Sequence, residues 1–193
     1  MDDAPDKTGT SEKDGLWIEA GFAELARSGI EGVRVEVLAK TLGVTKGGFY
    51  RRFRDRAALL AAMLQSWSKG RIAAIEQHAS LDGASARERL TSMIRLYSER
   101  TNATGMAIEL AIRQWARSDA AAARAVGSVD AARLKNVGKL YRATGLADDE
   151  ADARAFLFYC FIFGQSLLFL DRGPRQRAQL IARSAEALLD EET

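Results

Sequence analysis

Cysteine, histidine and proline are nearly missing from this 193-residue chain. The one cysteine, Cys160, excludes an internal disulfide and fits a reducing compartment, so a cytoplasmic protein is expected. The one histidine, His78, has no second histidine and no nearby cysteine, so no metal site is expected. Two prolines, Pro5 and Pro174, leave long stretches free to be helical. No strand-like alternation, repeat or low-complexity tract is present. The longest apolar run, FLFYCFIFGQSLLFL at 156–170, is too short and too closely flanked by charge for a membrane span, so no membrane partner is expected. No nucleophile, base or metal constellation is found. The adjacent Gly47 and Gly48 lack the Gly-Lys-Ser/Thr ending of a phosphate loop, and no strand precedes them. Neither an enzyme nor a cofactor is therefore implied.

The chain is rich in Ala, Leu, Arg and Glu, which are strong helix formers. At 47% hydrophobic and 28% charged it reads as globular. Residues 1–13 are polar and partly acidic and are expected to be a disordered tail, not a signal peptide. Trp17, Ile18, Gly21, Phe22 and Leu25 then repeat at helical spacing, with Gly29 as a cap. A second short helix is predicted over Val35–Thr41, ended by a left-handed Gly43, with Val44 anchoring the turn in the core. Thr45 suits the N-cap of a third short helix whose Phe49 and Phe53 point inward. Asp55 suits the N-cap of a longer fourth helix through Leu59, Met63 and Trp67.

Two short helices around a glycine-containing turn describe a helix-turn-helix, whose second helix enters the major groove of DNA. Gly47 and Gly48 each cost that helix roughly 1 kcal/mol relative to alanine. Bare glycines let the backbone approach DNA closely, and the Phe49 and Phe53 anchors can offset the cost. Net charge is only +2, but eight cations (Arg27, Arg34, Lys40, Lys46, Arg51, Arg52, Arg54, Arg56) face three acids (Glu31, Glu36, Asp55) between residues 27 and 56. Such a patch suits a polyanion. Thr45, Lys46, Tyr50, Arg51 and Arg56 are in position to meet phosphates or base edges. Arg52 and Arg54 can equally be solvated. Two missing side chains also mean that part of the specificity is expected to come from DNA shape.

Residues 20–64, AGFAELARSGIEGVRVEVLAKTLGVTKGGFYRRFRDRAALLAAML, resemble the tetracycline-repressor (TetR-like) family of bacterial transcription regulators. The resemblance rests on AxxxLAxxG, LAxxLGVTKGGFYRRF and the F-x-D-R-x-x-L entry into helix four. It implies an all-α chain with a three-helix DNA-binding domain at 14–54. A larger helical regulatory and dimerisation domain would follow at 55–193, beginning with linking helix four. It also implies that Thr45, Lys46, Gly47, Gly48, Tyr50 and Arg51 face DNA, with Arg56 at a phosphate-contacting position. Arg34 stands where the family usually has a capping Ser or Thr; it can contact a phosphate but cannot cap. Glu12 and Asp14 near the start of helix one argue against a basic N-terminal arm.

The resemblance further implies a homodimer that reads double-stranded DNA at an imperfect palindrome. Its recognition helices would lie about one turn, roughly 34–36 Å, apart. A small-molecule effector would release this repressor by favouring a different tilt of helix four. The apolar run at 156–170 independently suits a helix with one side on its own core and the other on a partner subunit. Candidate effector-lining residues are Tyr97, Arg113, Trp115, Asp130, Arg133, Phe156 and Tyr159, with Phe163; each aromatic can equally be core. Asp130 and Arg133 share an apolar stripe with Val126 and Val137. They are either a structural ion pair or a polar anchor for a ligand. Cys160 is expected to be buried and inert. The alternative is a helical interaction protein whose DNA-binding motif has lost its function.

Overall fold

The computed structural model describes residues 7–79, 85–98, 103–168 and 173–189. Side chains are described from residue 14 onward, except at 78–79, 97–98, 103 and 174. The described residues form helices and connections, with no strand. The helices are α1 (Lys7–Ser28), α2 (Val35–Thr41), α3 (Lys46–Tyr50), α4 (Arg56–Ala79), α5 (Ala86–Ser98), α6 (Ala103–Ala116), α7 (Ala120–Ala143), α8 (Asp148–Leu167) and α9 (Pro174–Leu189). Pro174 opens α9 at its first helical position, where the missing N–H costs nothing.

The all-α expectation holds, and the helix-turn-helix elements fall where the spacing put them. One expectation needs correction here. Residues 7–13, expected in a disordered tail, belong to α1, because no proline after Pro5 stops the helix from extending backward. Residues 1–6 lie outside the described residues. The chain divides into two compact units, one of Met1–Gly70 with Thr104–Gly127 and one of Arg71–Ala103 with Ser128–Thr193. His78 lies in the last turn of α4.

The core of the first unit is aromatic around α3. Phe49 is fully buried, edge-on to Trp17 of α1 at 5.2 Å between centroids and stacked on Phe53 at 5.5 Å. Val35, Leu38 and Ala39 of α2 are buried, as are Leu25, Leu59 and Met63. Asp55 starts α4 by accepting the Ala58 N–H at 2.8 Å. That backbone bond, then Arg54, holds its carboxyl below the usual range.

The second unit packs Leu90, Met93 and Ile94 of α5 with Val137, Leu140 and Tyr141 of α7, with Ala151, Ala155, Phe158, Tyr159 and Ile162 of α8, and with Ala185 of α9. The Tyr141 hydroxyl donates to the Leu188 carbonyl at 3.1 Å, and burial pushes its pKa up to about 12. Arg142 closes the α7–α8 connection by pairing with Asp148 and Asp152.

A five-residue helix is far below the length that is stable on its own, so α3 depends on its aromatic anchor. Phe49→Ala is expected to cost about 3–5 kcal/mol in urea unfolding. A cost below about 1 kcal/mol would show that α3 is held by something else.

Candidate nucleic-acid interface

The turn between α2 and α3 is closed by backbone bonds. Gly43 takes φ 66, the left-handed conformation that glycine accepts without strain. Its N–H donates to Lys40, and the Val44 N–H donates to Ala39 at 3.0 Å. This is the Schellman pattern. It also explains why Val44, expected in the core, is 48% exposed: the backbone bond secures the turn and the side chain is left outside. Thr45 occupies the N-cap with extended backbone, but its hydroxyl makes no cap hydrogen bond. Arg34 likewise sits at the N-cap of α2 without a side-chain bond, as its chemistry requires.

Thr45, Lys46, Gly47, Tyr50 and Arg51 are exposed together along α3, with Gly48 half-buried and Arg34 exposed at the start of α2. Tyr50 is 58% exposed and stands edge-on to Phe49 at 5.2 Å, so a buried ring braces an exposed one. The glycines are informative by what surrounds them. Neither Gly47 nor Gly48 has positive φ. A Cβ built on Gly48 would meet nothing within 4 Å, and one on Gly47 would meet only the Thr45 hydroxyl at 3.7 Å. Nothing among the described residues requires a glycine at either place.

The cations of this segment divide sharply. Arg27 pairs with the buried Glu24 at 2.7 Å, whose carboxyl it holds below the usual range. Arg52 pairs with Asp14 at 2.9 Å and ties the end of α3 to α1. The Arg56 guanidinium donates through Nε to the Val33 carbonyl and through Nη2 to the Ile30 carbonyl, each at 2.5 Å. It braces the α1–α2 connection, and these two donors are committed inward. Arg54 pairs with its neighbour Asp55. Lys46 pairs with Glu36 of α2 at 2.8 Å. Arg34, Lys40 and Arg51 are exposed and make no ion pair among the described residues. Glu36 was not singled out from the sequence, because its approach to Lys46 spans ten residues and a turn.

The expected effector-lining residues fall in both units. Arg133 is only 4% exposed; it pairs with Asp130 at 3.2 Å and lies over the rings of Tyr159 and Phe163, at 5.9 and 5.4 Å. Arg113 pairs with Glu109 on its own helix at 3.1 Å, and Trp115 is buried on that helix; both belong to the first unit. Phe156 is 60% exposed on the outer side of α8. The Tyr97 side chain lies outside the described residues. Cys160, expected to be buried, is exposed. It falls on the side of α8 opposite Ala155, Phe158, Tyr159 and Ile162, because an all-round apolar run gives no sign of which side faces out. Among the described residues no cluster of three or more His, Cys, Asp or Glu could hold a metal ion, and no helix is long and apolar enough to cross a membrane.

Residues 18–63 match the family of bacterial regulatory proteins, tetR family. The chain superposes with a TM-score of 0.72 on a protein from Pseudomonas aeruginosa PAO1 assigned as a transcriptional regulator, at 21% identity over 93% of this chain and 91% of that one. A TetR-family regulator from a Rhodococcus species gives 0.72, 22% identity, and 93% and 100% coverage. A regulator from Saccharomonospora viridis solved in complex with choline gives 0.76, 19% identity, and 91% and 96% coverage. No curated protein matches the sequence. The N-terminal region is thus similar to that family over residues 18–63, and the whole chain shares its fold with these neighbours.

Because Gly48 has open space and helical backbone, Gly48→Ala is expected to raise folding stability by about 0.5–1 kcal/mol in urea unfolding. A loss of stability would reveal an internal demand for glycine.

Proposed function

We propose that this chain is a TetR-family regulator: a homodimeric, sequence-specific DNA-binding repressor, released when a small molecule binds its C-terminal region. The observation that carries the reading is the pair of glycines. They burden a five-residue helix, and the protein's own packing does not call for them. A demand from outside the protein accounts for them: a helix pressed backbone-first against a major groove. Thr45, Lys46, Tyr50 and Arg51 flank that bare strip, and Arg34 and Lys40 extend its charge. Arg56 supports the interface from within by holding the Ile30 and Val33 carbonyls.

The dimer reading is supported by α8. Ala153, Leu157, Cys160, Gly164 and Leu167 recur at spacings of four, three, four and three, the period of a helix-to-helix seam. Phe156, Leu157, Leu167 and Leu168 of this outer side are exposed, so a large apolar strip awaits a cover. Two copies joined there would present two α3 helices to a palindrome. For the effector, Arg133, paired with Asp130 and lying over the Tyr159 and Phe163 rings, provides a polar anchor in apolar surroundings. The Saccharomonospora viridis neighbour, with choline, is a precedent for a small molecule in this fold.

Fluorescence anisotropy with the duplex upstream of the protein's own gene tests the DNA reading. Binding is expected to exceed that of a scrambled duplex and to fall steeply with salt. Gly48→Ala is expected to bind at least about tenfold more weakly although the protein is more stable. Equal binding to scrambled DNA, or an unaffected Gly48→Ala, would sink the reading. Leu157→Glu is expected to convert a sedimenting dimer into monomers; an unchanged dimer would place the subunit interface elsewhere.

A further inference from the structure

The ion pair joining α2 to α3 holds an oddity for a DNA-facing surface. Glu36 Oε1 and Lys46 Nζ lie 2.8 Å apart, and the two side chains are 60% and 57% exposed. An exposed pair of long side chains adds little to folding. A carboxylate beside a helix meant for DNA also repels phosphates. Stability alone is therefore a poor account of Glu36.

Base chemistry offers a better one. A carboxylate only accepts hydrogen bonds. In the major groove guanine shows the acceptors N7 and O6, and thymine shows the acceptor O4 and a methyl group. Adenine sets an N7 acceptor beside its N6 donor. Cytosine alone shows a donor, N4, with no acceptor next to it. An ammonium only donates, which suits guanine O6 and N7. The acceptor and donor of the ion pair stand side by side, as cytosine N4 and guanine O6 do across a base pair. The charged groups facing Glu36 are the cations Lys46 and Arg34; the Lys46 ammonium above all, and Arg34 least, hold its carboxyl below the usual range.

We propose that the Glu36–Lys46 pair reads one C·G base pair in each half-site, Glu36 accepting from cytosine N4 and Lys46 donating to guanine O6 and N7. This rests on the DNA-binding reading given above. At guanine or thymine the carboxylate faces an acceptor or a methyl group and loses water without gaining a donor, and at adenine the N6 donor comes with the N7 acceptor beside it, which repels the second carboxylate oxygen. The expected penalty is about ten- to a hundredfold in affinity. Glu36 becomes a specificity residue, and Lys46 is oriented by its partner before DNA arrives.

Glu36 also accepts its own backbone N–H in the first turn of α2, where Arg34 supplies no side-chain cap. A purely structural role predicts lost stability with no change in the sequence preferred. Selection from a randomised duplex pool, using the full-length wild type, Glu36→Gln and Glu36→Ala, separates the two. The wild type is expected to enrich a half-site with a fixed C·G pair. Glu36→Gln is expected to turn that pair into A·T, since an amide both donates to N7 and accepts from N6 of adenine. Glu36→Ala is expected to relax that position alone and to steepen the salt dependence as Lys46 turns to a phosphate. One consensus shared by all three proteins, with or without a lower melting temperature in the variants, overturns the proposal while DNA binding stands. A wild type that enriches no sequence overturns both.

Discussion

The N-terminal half of this protein depends on one aromatic contact, the seating of Phe49 between Trp17 and Phe53. A helix of five residues with two glycines cannot hold its shape by backbone hydrogen bonds. Burying a phenyl ring removes enough apolar surface from water to hold that helix against α1. Everything on the outer side of α3 follows from this anchor. Tyr50 is placed by its edge contact with Phe49, and Lys46 is placed near Glu36 because the preceding turn is closed by backbone bonds at Gly43 and Val44. The buried side of the helix supplies the rigidity, and the exposed side is left nearly bare.

Charge in this region is sorted by pairing. Arg27, Arg52 and Arg56 lie against carboxylates or carbonyls of the same unit and hold its elements together. Arg34, Lys40 and Arg51 remain in water. A guanidinium with several fixed donors suits the first task, since it can satisfy two carbonyls at once, as Arg56 does. The positive potential that a polyanion meets is therefore smaller than the count of basic residues suggests. It is concentrated on α2 and α3.

The second unit shows how far periodicity reads. The inward stripe of α8 through Ala151, Ala155, Phe158, Tyr159 and Ile162 is an ordinary core face. The same helix carries Phe156, Leu157 and Cys160 outward, where water is their neighbour in a single chain. Composition showed that the helix was apolar all round, and that two surfaces had to cover it. Which residues went to which surface depended on the neighbours α5, α7 and α9. The Asp130–Arg133 pair was visible as a polar interruption of an apolar stripe, but its aromatic lid of Tyr159 and Phe163 comes from another helix.

The amino-acid order by itself determined the helices, the left-handed glycine turn at Gly43, the inward Phe49 and Phe53 and the DNA-binding motif. These follow from spacings of three to five residues and from the conformational range of single residues. Tertiary structure alone decided that Val44 and Cys160 face out, that Arg56 turns inward, and that Glu36 meets Lys46. Those outcomes depend on distances between segments far apart along the chain. A side chain's partner there is whichever group packing brings within reach, and local periodicity carries no record of it.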